Sequence, residues 1–188
     1  MKLEKLHTKY IARNIKYYNI LASTQTEAKN LAQGNIENGT IVITENQISG
    51  KGTHGRTWES AKGQNATFTI ILYPECNIKK LENITTEIAN SICFAIKKLY
   101  NINLEIKKPN DLILNDKKIG GILTEINTIG EVVKELFIGI GFNVKQTEFS
   151  SELKSKATSL YLNNVKNANV EDVVCEICNE LEILIEKF

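Results

Sequence analysis

The residues best suited to chemistry fall in two polar stretches. The first is Gln47-Ile-Ser-Gly50-Lys51-Gly52-Thr53-His54-Gly55-Arg56-Thr57-Trp58, which sets three glycines within six residues, interleaved with basic side chains. Glycine permits backbone conformations and close approaches that a Cβ would block. Successive N–H groups in such a loop form an anion-binding nest. Lys51 and Arg56 add positive charge, and Trp58 supplies a flat amphipathic surface at the loop's end. The combination suits a ligand carrying phosphate and an aromatic ring. A solvated surface loop has a similar composition, and composition alone leaves both readings open. The stretch matches neither G-x-x-x-x-G-K-[ST] nor a strand-turn-helix G-x-G-x-x-G, so the two common nucleotide fingerprints are absent.

The second stretch is Glu105-Ile-Lys107-Lys108-Pro109-Asn110-Asp111. In period-2 geometry Leu104 and Ile106 share one face, while Glu105 and Lys107 point to the other. Pro109 biases Lys108 toward extended backbone, and a lysine on a strand end is better positioned than one on a flexible loop. Two solvated lysines at a strand terminus are the competing reading. Glycines also interrupt apolar strand sequence at Gly120-Gly121, Gly139 and Gly141. There they mark a bulge or the close approach of a ligand, or else packing under another element. Cys175-Glu-Ile-Cys178 is a lone C-x-x-C on the apolar stripe Val173, Val174, Ile177, Leu181, Leu184 and Ile185. Its thiols are read as buried small hydrophobes rather than as a metal or redox pair, so no metal ligands are assigned.

The elements that must position these groups follow from periodicity and punctuation. Strands are expected over 15–20, 40–45, 66–73, 103–107, 112–114, 119–126 and 132–144. A helix should start at the T-x-x-E pattern of Thr24–Glu27, run to about Gln33 and stop at Gly34. A second helix is expected over 78–100 and a third over 170–188. Asn115-Asp116 reads as a tight hairpin turn, and Gly130-Glu131 as another. Residues 46–65 form a loop too long for a routine connection, which points to function. Residues 145–168 read as polar and irregular. Adjacent strands joined as hairpins, with helices between others, predict an α+β domain with a largely antiparallel sheet.

The chain has 188 residues, the size of one ordinary domain, and 42% hydrophobic with 24% charged residues marks a globular protein. A formal net charge of +1 removes the bulk electrostatic case for nucleic-acid binding. No apolar run reaches the ~18–20 residues that span a bilayer, and the start shows no apolar signal core. The expectation is a cytoplasmic protein with no nucleic-acid or membrane partner.

Taken in order, the motifs resemble the catalytic domain of biotin protein ligases, the biotin–[acetyl-CoA-carboxylase] ligases. Ser23-Thr24-Gln25 resembles the family's S-T-N, and Gln47–Trp58 its Q-x-x-G-R-G-R-x-G-R-x-W loop. Lys107–Asp111 resembles K-W-P-N-D, Lys118–Leu123 matches K-[IL]-x-G-I-L, and Gly139–Asn143 resembles G-x-G-x-N. The resemblance implies the α+β domain shared with class II aminoacyl-tRNA synthetases, a mostly antiparallel mixed sheet backed by helices. It implies activation of biotin by ATP with Mg²⁺, giving biotinyl-5′-AMP, then transfer to a lysine of a biotin carboxyl carrier domain. It implies that Ser23, Thr24, Gln25, Gln47, Lys51, Gly52, Thr53, Lys107, Gly120 and Gly121 bind biotin. Gly50, Lys51, Gly55, Arg56, Trp58 and Asn143 would hold the adenylate, with Lys107 and Arg56 catalytic. The resemblance extends to a homodimer through a sheet edge.

Lys51 and Thr53 stand where the family has arginines, leaving fewer guanidinium forks for phosphate. Gln25 and Lys108 replace the usual Asn and Trp. A single domain over 1–188 is expected, with no helix-turn-helix domain before Ser23 and no SH3-like domain among the 45 residues after Asn143. A lipoate or octanoate ligase and a non-catalytic biotin- or adenylate-binding regulator are the alternatives. The glycines make the empty loop costly to fix, so 49–58 is expected to be mobile and to order around ligand.

Overall fold

A computed structural model describes all 188 residues. The elements run β1 (Ile15–Leu21), α1 (Thr24–Ala32), β2 (Ile41–Gln47), β3 (Gly50–Lys51), β4 (Thr57–Trp58), β5 (Asn65–Leu72) and α2 (Ile84–Tyr100). Then follow β6 (Glu105–Lys107), β7 (Asp111–Leu114), β8 (Lys117–Ile129), β9 (Val132–Asn143) and α3 (Val170–Ile185). A seven-stranded sheet has the order β1-β2-β5-β9-β8-β7-β6. Only β1 and β2 pair in parallel, and every other neighbour is antiparallel. The α+β expectation therefore holds. No helix is long and apolar enough to cross a membrane.

The two faces of the sheet serve different ends. On one, Phe68, Ile70, Ile138, Ile140 and Phe142 pack with Ile88 and Ile92 of α2 and Val174 and Ile177 of α3 in the main core. On the other, Ala28 of α1 covers only Val42, Ile71 and Phe137. Past the N-terminal end of α1 that face carries Leu123 of β8 and otherwise short side chains or none. Pairing sets Thr67 opposite Gly141 and Thr69 opposite Gly139, and Gly121 opposite Gly141. Because alternate residues share a face, Thr67 and Thr69 line up with Ile71, while Gly139 and Gly141 line up with Phe137.

Local differences from expectation have local causes. Ser23, not Thr24, caps α1, its side chain accepting from the Thr26 N–H at 3.4 Å. Glu27 bonds the Tyr18 hydroxyl at 2.8 Å instead of closing a capping box. Gly34 lacks the left-handed φ of a C′ stop. The helix expected over 78–100 is divided into a 3-10 turn at Ile78–Leu81 and α2. Within 46–65, β3 and β4 pair as a two-stranded ladder, Gly50 with Trp58 and Lys51 with Thr57, and left-handed His54 and Gly55 make its tip. Asn115 and Asp116 turn with φ 50° and 61°, the positive values that a two-residue hairpin of this hand requires. Cys175 and Cys178 are buried in the core, and burial pushes both thiols up.

Glu182 of α3 anchors the first residues of the chain. Its carboxylate accepts from the backbone N–H groups of Lys9, Tyr10 and Ile11 at 2.5, 3.1 and 2.9 Å. Burial alone would raise this carboxyl, but the three N–H donors and Lys9 hold it below the usual range. A depressed carboxyl contributes stability above its unfolded value of ~4.3, and that stability is lost as pH falls through the folded value. Glu182→Gln should therefore cost on the order of 1–3 kcal/mol at pH 7, with the gap from the parent closing below about pH 4. Urea unfolding at both pH values checks this, and an equal gap at both would contradict it.

Candidate functional site

The bare end of the α1-facing sheet surface is a cavity of about 540 Å³, within the ~300–1,000 Å³ range of small-molecule sites. The ladder β3–β4 and its connecting loop form one wall. The floor comes from Thr67, Thr69, Gly121, Gly139 and Gly141, and the start of α1 closes one end. Ser23, Thr24, Gln25, Gln47, Lys51, Gly52, Thr53, Arg56, Trp58, Lys107, Gly121 and Asn143 all line it. Of the residues expected from the sequence, Gly50, Gly55 and Gly120 do not.

The pleat explains why adjacent glycines differ. A Cβ on Gly120 would lie 2.8 Å from Phe142 Cδ2 and 3.0 Å from Leu112 Cδ1, so Gly120 serves packing on the core face rather than ligand approach. Gly121 and Gly141 face the cavity and seat the Trp58 indole, which a Cβ on Gly141 would overlap. Gly139 makes room for the Gln25 carboxamide. Gly50 lets the loop backbone close onto the Gln47 amide and the Trp58 carbonyl.

The polar floor is bonded internally. The Thr24 N–H donates to Gln47 Oε1 at 2.8 Å, with Gln47 Nε2 lying against Gly50. The Thr69 hydroxyl lies 3.0 Å from Thr24 Oγ1 and 3.1 Å from Gln25 Oε1. Trp58 Nε1, Thr67 Oγ1 and Asn143 Oδ1 are buried without hydrogen-bond partners. Unpaired buried groups each cost about 1–3 kcal/mol, so these are atoms that a polar ligand would satisfy.

Positive charge also lines the cavity. Lys51, Arg56, Lys107, Lys118 and Lys156 line the cavity against Glu59, Asp111 and Asp116. Lys107 is exposed and Ile106 half-buried, the alternation expected at this strand end. Lys118 Nζ sits 2.6 Å from Asp111 Oδ1 and 5.7 Å from the Trp58 ring centroid. Arg56 bonds weakly back to Thr53, at 3.4 and 3.5 Å, and so remains available to an anion.

Residues 17–143 match the model of the Biotin/lipoate A/B protein ligase family. The chain belongs to this family. It is 37% identical over 157 residues to the bifunctional ligase/repressor BirA of Bacillus subtilis, covering 82% of the chain and 48% of that protein. It is 30% identical over 138 residues to the biotin–[acetyl-CoA-carboxylase] ligase of Paracoccus denitrificans, 72% of the chain and 57% of the relative. The chain thus spans about half the length of the curated relatives it matches. Among solved structures, the Aquifex aeolicus biotin protein ligase in complex with biotin and ATP superposes with a TM-score of 0.79 at 28% identity. That likeness covers 94% of this chain and 72% of the other.

Several lining residues of this family member carry no role in the sequence reading. Lys118 lies inside the K-I-G-G-I-L run, and its parity with Gly120 points to the core face. The irregular pairing of β7 with β8 between Leu112 and Ile113 accompanies its placement in the cavity instead. Asn110 and Asp111 were legible only as the tail of a lysine motif. Phe149, Leu153 and Lys156 reach the cavity from the segment 145–168, whose irregular backbone gives no periodic signal.

Trp58 is the chain's single tryptophan, so its emission reports on the cavity alone. Gly141→Ala should displace the indole, shift the emission and cost about 1–3 kcal/mol of stability by overpacking. An unchanged spectrum with unchanged stability would contradict the proposed seating.

Proposed function

We propose that the protein activates biotin with ATP and transfers it to a lysine of a biotin carboxyl carrier domain. What carries this reading is one cavity that combines a hydrogen-bonding floor with a cluster of cations. A ureido ring presents N–H donors and a carbonyl acceptor. Thr24 Oγ1 and the Gln47 carboxamide, both at the cavity, complement them, with Ser23 beside them at the start of α1. The ligand's carboxylate then extends toward Lys118 and Lys107.

In the first step a biotin carboxylate oxygen attacks the α-phosphorus of ATP. The bond to the bridging oxygen breaks, pyrophosphate leaves with that electron pair, and a mixed anhydride remains. Two anions must approach each other, so the protein's task is charge compensation and alignment. Lys118 is the less exposed of the two lysines through its pairing with Asp111, and it is assigned to the carboxylate. Lys107 and Arg56 face phosphate, and Lys51, Gly52 and Thr53 lie over the anhydride. Trp58 packs against its floor at Gly121 and Gly141. In the second step the carrier lysine's neutral amine attacks the acyl carbon, AMP departs, and the amine proton passes to solvent.

Mg²⁺ fits this site as an accessory to ATP rather than as a resident ion. Asn143 Oδ1 is a buried oxygen without a partner, and Mg²⁺ is commonly held through substrate phosphates with few protein ligands. When bound there it would neutralise phosphate charge. Four free cysteines suit a reducing cytoplasm.

The family description includes lipoate ligases, but a lipoyl or octanoyl chain offers nothing to the polar floor. Biotin-dependent exchange of pyrophosphate into ATP checks the first step. Lys118→Ala and Lys107→Ala should each lower it by about 10²-fold or more, as for the loss of a transition-state charge partner. Strong exchange by either variant would remove that lysine from the mechanism. Exchange driven equally by octanoate would overturn the choice of biotin.

A further inference from the structure

The polar floor does not end inside the cavity. Gln25 Nε2 donates to Glu125 Oε2 at 2.7 Å, and Glu125 Oε1 pairs with Lys29 Nζ at 2.6 Å. Glu125 is on β8 and does not line the cavity. Burial would raise its carboxyl, but Lys29 and the Gln25 amide hold it below the usual range. It is an acceptor and nothing else.

That single fact propagates inward. Gln25 must present Nε2 to the carboxylate, so its Oε1 faces Thr69. A carboxamide oxygen only accepts, and the Thr69 hydroxyl has one proton, which is therefore used on Gln25. Toward Thr24 the Thr69 oxygen is then an acceptor. The Thr24 proton turns inward, to Thr69 at 3.0 Å or to Gln47 Oε1 at 3.3 Å. Thr24 Oγ1 is left showing the cavity a lone pair.

We infer that Glu125 is a positioning residue that fixes the donor–acceptor direction of the chain Gln25–Thr69–Thr24, committing the floor to a ligand that brings N–H donors. This rests on the proposed reading of the site as one for biotin, whose ureido group has such donors. Gln25, 4% exposed and bonded on both sides, is thereby assigned to the wall behind Thr24 rather than to direct ligand contact.

Glu125→Gln reverses the direction, because Lys29 only donates and keeps the new amide's oxygen, which leaves the amide Nε2 facing Gln25. Biotin should bind about tenfold more weakly and show a raised KM, with kcat little changed, since this contact is made equally in the ground and transition states. Octanoate binding should not change, so the biotin-over-octanoate preference should fall about tenfold. The exchange Gln25→Glu with Glu125→Gln keeps an acceptor toward Thr69 and a donor between positions 25 and 125. It should return biotin affinity to within about threefold of the parent, which a merely structural role would not produce.

Binding is read from Trp58 emission on titration with biotin and with octanoate, and turnover from pyrophosphate exchange. Titration reports whether or not the protein transfers biotin. Parent protein that binds biotin without exchange fails the ligase reading alone, and the variants still decide the role of Glu125. Folded Glu125→Gln with parental biotin affinity, or a double variant no better than the single one, overturns this inference while leaving the ligase reading intact. Parent protein that does not bind biotin overturns both.

Discussion

The pleat of β8 and β9 is the constraint on which the rest depends. Successive residues of a strand point to opposite faces, and here the two faces have opposite requirements. Ile138, Ile140 and Phe142 fill the layer under α2 and α3 with fully or nearly fully buried side chains. The residues between them, Gly139 and Gly141, leave the other face without side chains. Gly121 on β8 and the two threonines of β5 continue that bare patch across neighbouring strands. The cavity is thus made by omission. Its floor is backbone, small polar groups and Leu123, held flat by a packed core behind it. A one-residue slip of β9 would put Ile140 into the cavity and glycine into the core, so register and function are the same requirement.

Onto this floor the fold brings two kinds of charge management. At the α1 end, polar atoms bond one another in a directed chain anchored by Glu125 and Lys29. They present complementary atoms to a ligand without placing a formal charge in the cavity. Lysines from β6, β8 and the β3–β4 ladder line the same cavity, and Asp111 holds Lys118 at 2.6 Å. That aspartate fixes the lysine at the cavity lining. Trp58 links the two, seated on the glycine strip and within 5.7 Å of Lys118.

Much of this was legible in the sequence because it rests on local rules. β-branched runs gave β2 and β5, the Asn115-Asp116 turn gave the β7–β8 hairpin, and parity placed Lys107 opposite Ile106. The five ordered motifs drew most of the cavity lining. What escaped depends on tertiary geometry. Gly120 and Gly121 are indistinguishable in sequence, and only the strand's register assigns one to packing and the other to the site. Lys118 reaches the cavity where β7 and β8 pair irregularly, against its simple parity. Phe149 and Leu153 come from a segment with no period to detect. Glu125 sits 100 positions from Gln25, in a strand that otherwise reads as ordinary sheet.

The central claim is that this one cavity builds an activated biotin and delivers it to a carrier. The most direct measurement is the intact mass of a biotin carboxyl carrier domain after incubation with the protein, ATP, Mg²⁺ and biotin. The expected result is addition of one biotinyl group, dependent on ATP and lost with Lys118→Ala. A carrier whose mass stays unchanged, or an acceptor modified by octanoate in preference to biotin, would contradict it.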